Sequence, residues 1–136
     1  AIEAKLVKFL DALRLQDCEF QTKDFRKFDF NGLTQNSLVY CDPPYLITTA
    51  TYNEKDGWNE QDERDLLDIL DNLSRREIRF ALSNVLQHEG KENTLLKEWI
   101  ELHNYNVHEL FMDYHYSNYQ KKSKKAESQE VLITNY

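Results

Sequence analysis

Four consecutive residues, Asp42-Pro43-Pro44-Tyr45, carry the most pointed chemistry of this 136-residue chain. An acid, a stiff backbone and an aromatic ring follow one another without a spacer, and both prolines of the chain are here. Proline fixes its own φ and keeps the preceding residue out of the helical region, so Asp42 and Pro43 are both expected to be extended. The Asp42 carboxylate and the Pro43 carbonyl then offer two acceptors in a set geometry, and Pro44 has no N–H to compete for them. Two acceptors suit a planar amine such as N6 of adenine, whose lone pair is delocalised into its ring. Accepting from both hydrogens favours a pyramidal nitrogen, which is the better nucleophile. Tyr45 would stack on the base, its ring supplying area and its hydroxyl a polar handle. An ordinary turn would use Pro-Gly or Asn-Gly instead.

The elements that must position this tetrad follow from hydrophobic period. Leu38-Val39-Tyr40-Cys41 is an apolar run that stops at the prolines, which predicts a buried strand ending in a stiff loop. The C-terminal edge of a strand is where open α/β sheets bind ligands. Ile2, Leu6, Phe9, Leu10 and Leu13 recur at helical spacing and predict an amphipathic helix over residues 1–14. Glu19-Phe20-Gln21 is a candidate short strand, and residues 23–37 read as polar loop. Asn59 can cap a helix, with Asp62 near its positive end and Leu66, Leu67, Leu70 and Leu73 on its apolar face. Phe80-Ala81-Leu82 predicts a strand ending at Ser83-Asn84. Asn93 caps a further helix with Leu95, Leu96, Trp99 and Ile100 inward. Residues 106–112 predict a strand, residues 115–129 are polar and lysine-rich, and Val131-Leu132-Ile133 is a last strand. Strands alternating with helices imply an α/β sheet. No helix separates the final two strands, so they are expected to pair antiparallel.

Composition sets the bounds. Apolar residues make up 40% and charged residues 30%, ordinary for one globular domain with a real core. No stretch has the length of a membrane span and no signal peptide is visible, so a cytoplasmic enzyme is expected. Cys18 and Cys41 lack metal-ligand spacing, and Cys41 reads as a buried free thiol. His88, His103, His108 and His115 form no paired ligand pattern, so no metal is expected. A net charge of −7 argues against indiscriminate nucleic-acid affinity. The acid is uneven, however. Carboxylates crowd between Glu54 and Asp71, whereas Lys121, Lys122, Lys124 and Lys125 form a basic stretch able to meet phosphates.

The tetrad resembles the catalytic motif of amino-group methyltransferases that use S-adenosylmethionine. More closely, Asp42 to Tyr136 resembles the C-terminal part of Dam-type adenine-specific DNA methyltransferases. The matching stretches are DPPYLITTATYNEKDGW, the acidic helix after it, FALSN, YSNYQKK and the closing EVLITNY. The resemblance implies the later half of the mostly parallel methyltransferase sheet, with helices on both faces and the last strand antiparallel. It implies adenine-N6 methylation of specific sites in double-stranded DNA, within a restriction-modification or host methylation system. S-adenosylmethionine is the implied cofactor, a flipped adenine the implied target, and a companion restriction endonuclease a further implied partner. Asp42, Pro43, Pro44 and Tyr45 would be catalytic. Asp24 and Phe25 would meet the adenine of the cofactor, with Asp42 at its reacting end. Tyr52, Asp56 and Trp58 would close over the flipped nucleotide. Ser83 and Asn84 would line the base pocket, and Ser117, Asn118, Lys121 and Lys122 would hold phosphates. Each also has a plain reading as loop, turn or core.

Gly32, Gly57 and Gly90 are isolated, so the Gly-rich turn that grips the cofactor is not in this sequence. In the resembled family that turn lies upstream, followed by a DNA-recognition insert and then the tetrad. Residues 1–136 are therefore expected to be the C-terminal part of a catalytic domain, about half the enzyme. Alone, the chain would be inactive and prone to self-association. Two rival readings stand beside this one. The same chemistry could act on RNA or on a protein glutamine, although families of that kind often carry Asn in place of Asp42. A truncated, non-catalytic DNA- or protein-binding module is the other.

Overall fold

The computed structural model describes residues 1–48, 57–110 and 128–136. Its framework grows from one long strand, β2 (Arg79–His88), in which Phe80, Ala81, Leu82, Asn84, Val85 and Leu86 are all buried. Burial at successive positions marks a strand covered on both sides. Strand β1 (Leu38–Cys41) lies parallel to β2 on one flank, with Cys41 opposite Leu82. Strand β5 (Ser128–Thr134) lies antiparallel on the other flank. Strand β4 (Asn106–Glu109) pairs antiparallel with β5, as expected for neighbours with no helix between them. The order is β1-β2-β5-β4, and a two-residue β3 (Lys91–Glu92) pairs with the end of β2.

Helix α2 (Glu60–Arg75) begins in a capping box. Asn59 Oδ1 accepts from the Asp62 amide and Asp62 Oδ2 from the Asn59 amide, both at 3.0 Å. Helix α3 (Thr94–His103) is capped by Asn93, whose side-chain oxygen accepts from the Leu96 amide at 3.0 Å. Leu66, Leu67, Leu70 and Leu73 of α2 pack with Leu96, Trp99 and Ile100 of α3 on Phe80, Leu82, Leu86, Val131 and Ile133 of the sheet. That cluster is the core. Asp71 closes the seam between the helices by accepting from the Trp99 indole at 2.9 Å and the Tyr105 hydroxyl at 2.8 Å.

Among the described residues only the β1–β2 pair is parallel; the other pairings are antiparallel. β4, being antiparallel to β5, runs in the same direction as β1 and β2, so these three strands share one direction and the last strand, β5, runs against its neighbours as expected. Several expectations are corrected. Both packed helices lie on one face rather than two. Helix α1 (Ile2–Leu15) forms as its period dictates but buries no residue. Glu19–Gln21 has no ladder partner among the described residues and is not a strand. β2 does not end at Ser83-Asn84 but continues to His88, carrying a bulge between Val85 and Gln87. The predicted strand over 106–112 stops at Glu109 within the described residues. The β2–β3 hairpin was not legible, because Lys91-Glu92 is too short and polar to alternate. Its turn is Glu89-Gly90, both at positive φ (48° and 78°). Glycine adopts that conformation freely, and the pair matches the turn that suits a two-residue hairpin.

Candidate active site

The site arises because β1 stops where β2 goes on. Cys41 is the last paired residue of β1, opposite Leu82. The two prolines remove amide donors, so no ladder can extend past them. Asp42 is thus released at the C-terminal end of β1, exposed to solvent, while Ser83 continues along β2 beside it. The chain then turns. The Thr48 amide and hydroxyl both donate to the Tyr45 carbonyl at 3.2 Å, which sets the ring of Tyr45 back over the sheet.

There the Tyr45 hydroxyl lies 3.3 Å from Ser83 Oγ and donates to Asp42 Oδ1 at 3.4 Å. Burial raises the Tyr45 hydroxyl above its ordinary range, and the nearby carboxylates of Asp42 and Glu130 push it the same way. Glu130 reaches this neighbourhood because it stands opposite Val85 in the β2–β5 ladder, on the strand face that carries Ser83. No residue pattern singles it out, since it merely precedes the apolar residues of the last strand. On the core side, Cys41 is a half-buried free thiol that burial alone pushes up to about 11.

Ser83 and Asn84 were expected to line one pocket, but the alternation of β2 sends them to opposite faces. Ser83 faces Tyr45. Asn84 is buried on the helix side, where its amide donates to Glu63 Oε1 at 3.2 Å. Asn84 is therefore a core group and does not point at Asp42. Trp58 is likewise turned inward: its indole N–H donates to Glu63 Oε2 at 2.6 Å, and its ring packs on Phe25, centroids 5.5 Å apart. Sequence reasoning missed Glu63 and Asn93 as polar members of this core. Their signal was faint, since Glu63 sits in an acidic helix start and Asn93 was read only as a cap.

Asp24 and Phe25 form the start of a single 3-10 turn, Phe25–Lys27. Phe25 lines a cleft of about 460 Å³ beside β1, together with Phe28, Phe30, Val39 and Tyr40. Asp24 caps the turn by accepting from the Arg26 amide at 2.8 Å. The Arg26 guanidinium stacks on the Phe25 ring, 4.4 Å from its centroid, and donates to Asp62 at 2.6 Å and Asp65 at 2.7 Å. Those bonds hold both carboxyls below the usual range. Tyr52, Asp56, Ser117, Asn118, Lys121 and Lys122, together with Lys124 and Lys125, lie outside the described residues. Among the described residues no cluster of three metal-ligating side chains occurs. No described helix is long and apolar enough to cross a membrane.

Residues 3–117, a stretch that contains the tetrad and β2, match the D12 class of N6 adenine-specific DNA methyltransferases. The chain belongs to this family. Its relatives include the type II methyltransferase M.FokI of Planomicrobium okeanokoites, 51% identical over 140 residues, a match covering 100% of this chain and 21% of that protein. The modification methylase StsI of Streptococcus sanguinis is 48% identical over 96% of this chain and 20% of its own length. The modification methylase LlaI of Lactococcus lactis subsp. lactis is 37% identical over 90% of this chain and 19% of its own length. The chain spans about a fifth of the length of the relatives it matches.

Proposed function

We propose that this chain forms the target-base side of an S-adenosylmethionine-dependent DNA adenine-N6 methyltransferase of the type that modifies specific sites. The observation that carries the reading is the exposed Asp42 at the C-terminal end of β1, beside a Tyr45 ring set over Ser83. A base inside a duplex cannot reach that edge, so the target adenine is flipped out. The Asp42 carboxylate and Pro43 carbonyl accept the two N6 hydrogens and orient the nitrogen lone pair, while Tyr45 stacks on the ring. The amine becomes cationic as it is alkylated, and Asp42 stabilises that charge until the proton leaves. Ser83 fixes the Tyr45 hydroxyl and so the tilt of its ring.

The cofactor supplies an electrophilic methyl group when bound. The residues present suit its adenine end. Phe25 offers a ring within an aromatic cleft next to β1, and the partly exposed Asp24 carboxylate, paired with the Arg26 guanidinium at 3.3 Å, would accept from an amino group. Residues 1–136 are read as the C-terminal part of the catalytic domain, with the glycine turn and the recognition insert supplied upstream. Ser117, Asn118, Lys121 and Lys122 are proposed phosphate contacts, and a companion restriction endonuclease fits the modification role.

The test is to express the intact gene in a methylation-free host, map modified adenines, and compare Asp42→Ala in single-turnover assays. The expected outcome is N6-methyladenine at one sequence for the wild type. For the variant, loss of one well-placed electrostatic group should cost about 100- to 1,000-fold in rate with DNA binding retained. A variant keeping more than about half of the wild-type rate would remove Asp42 from the chemistry.

A further inference from the structure

Glu63 is a carboxylate with 1% exposure, outside the chemistry assigned to Asp42. Three N–H donors from three parts of the fold converge on it. The Trp58 indole donates to Oε2 at 2.6 Å, and the amides of Asn84 and Asn93 donate to Oε1 at 3.2 Å each. The other half of each amide is already engaged. Asn84 Oδ1 accepts from the Val85 amide at 2.8 Å and Asn93 Oδ1 from the Leu96 amide at 3.0 Å. Neither Asn can turn its oxygen toward residue 63 without breaking a backbone bond. Only a group with acceptors on both oxygens satisfies all three donors. Burial raises the Glu63 carboxyl, and the three donors oppose that rise.

What the carboxylate joins is the surround of the catalytic loop. Asn84 is the neighbour of Ser83, whose hydroxyl meets Tyr45. The Asn93 backbone N–H donates to the Leu86 carbonyl at 2.9 Å, which ties the start of α3 to β2. Asn93, Thr94 and Leu95 form one side of a cavity of about 330 Å³ whose other side is Leu46, Ile47 and Thr48, the residues that follow Tyr45. A buried, paired charge adds little net stability over an apolar filler of similar size. Its value here lies in geometry.

We propose that Glu63 is a positioning residue for methyl transfer: clamped by Trp58, Asn84 and Asn93, it fixes β2 and the start of α3 against the loop Asp42–Thr48, and through them the pose of Tyr45 and Asp42. The proposal rests on the catalytic reading of Asp42 given above.

The test is Glu63→Gln in the intact methyltransferase, which keeps size but turns one acceptor into a donor facing the Trp58 indole. Leu73→Ala, a core truncation near the far end of α2, serves as the stability control. Both are assayed at a temperature where melting curves show them folded. Misplacement of the reacting groups should lower kcat of Glu63→Gln by about 10- to 100-fold, with KM for DNA within about threefold of wild type. The Trp58 indole N–H resonance should shift as its charged acceptor is lost. Leu73→Ala should keep wild-type kcat. A folded Glu63→Gln with wild-type kcat, or an equal fall in Leu73→Ala, overturns the positioning role and leaves the catalytic reading standing. A wild-type enzyme that methylates no adenine overturns both.

Discussion

At the scale of single residues, the proposed site separates a group that would act through charge, Asp42, from one that would act through shape, Tyr45. Asp42 stays exposed, whereas Tyr45 is half-buried and hydrogen-bonded to Ser83. Burial keeps the Tyr45 hydroxyl protonated well past neutrality, so it enters the site as a neutral group. Stacking depends on the ring more than on that hydroxyl. Tyr45→Phe is expected to stay within about threefold of wild-type single-turnover rate, while Tyr45→Ala should lose the roughly 1–3 kcal/mol that a base stack contributes. A fluorescent adenine analogue at the target position would report base extrusion directly. Equal signals from the alanine variant and the wild type would take Tyr45 out of the base pocket. The tetrad stood out in the sequence because its residue types are so constrained. Asn84 was misread because the strand was taken to end there. One more paired residue on β2 is enough to send Ser83 and Asn84 to opposite faces.

At the scale of elements, Arg26 joins the 3-10 turn to the first turns of α2 through Asp62 and Asp65. Both carboxyls are held below their unfolded range, chiefly by the Arg26 hydrogen bonds. A depressed acid contributes stability that is fully present above the unfolded pKa of about 4 and disappears as pH falls through the folded value. Glu63 acts in the opposite sense, because burial raises it. Arg26→Gln should therefore unfold at higher pH than wild type in an acid titration followed by circular dichroism, and added salt should narrow the gap. Coincident acid transitions would show that the Arg26 pairs contribute nothing measurable. The regular elements of this layer were legible. The capping box at Asn59, the leucine stripe of α2 and the inward face of α3 all follow from period and cap chemistry. Arg26 was not, because its partners lie 36 and 39 residues away in sequence and no local pattern joins them.

At the scale of the whole molecule, the β1 flank of the sheet is open. Leu38 and Tyr40 of β1 are 55% and 61% exposed, and α1 keeps Ile2, Leu6 and Phe9 more than half exposed. β1 is also the terminal strand of the sheet order, with one row of backbone groups unpaired within the described ladder. Apolar surface and a free edge together favour association. The isolated 136-residue chain is expected to self-associate with rising concentration in sedimentation experiments. It is also expected not to bind S-adenosylmethionine in calorimetry at micromolar levels, because no Gly-rich turn offers backbone donors. One-to-one binding near 10 µM, about −7 kcal/mol, would show that the cofactor site is complete here. The direction of the last strand was legible from its connection rather than from its period: no helical pattern separates it from β4, and the two pair antiparallel as expected. Hydrophobic period finds strands, but parallel or antiparallel pairing depends on connections, and those carry no periodic signal.

The central ladder has a consequence for the order in which this protein is made. β2 is held between β1 and β5, and the buried Val131 and Ile133 of β5 close the core over it. Yet Ser128 follows His88 by about 40 residues, so during synthesis β2 waits for a partner that emerges much later. Until then Leu82, Leu86 and the leucines of α2 have no finished layer to enter, and β1 leans on a strand that is itself unsupported. Closing so long a loop is entropically slow. Until β5 is made, the nascent chain is expected to hold β2 without its second neighbour, and the loop bearing Asp42 is expected to gain its full support only when β5 arrives.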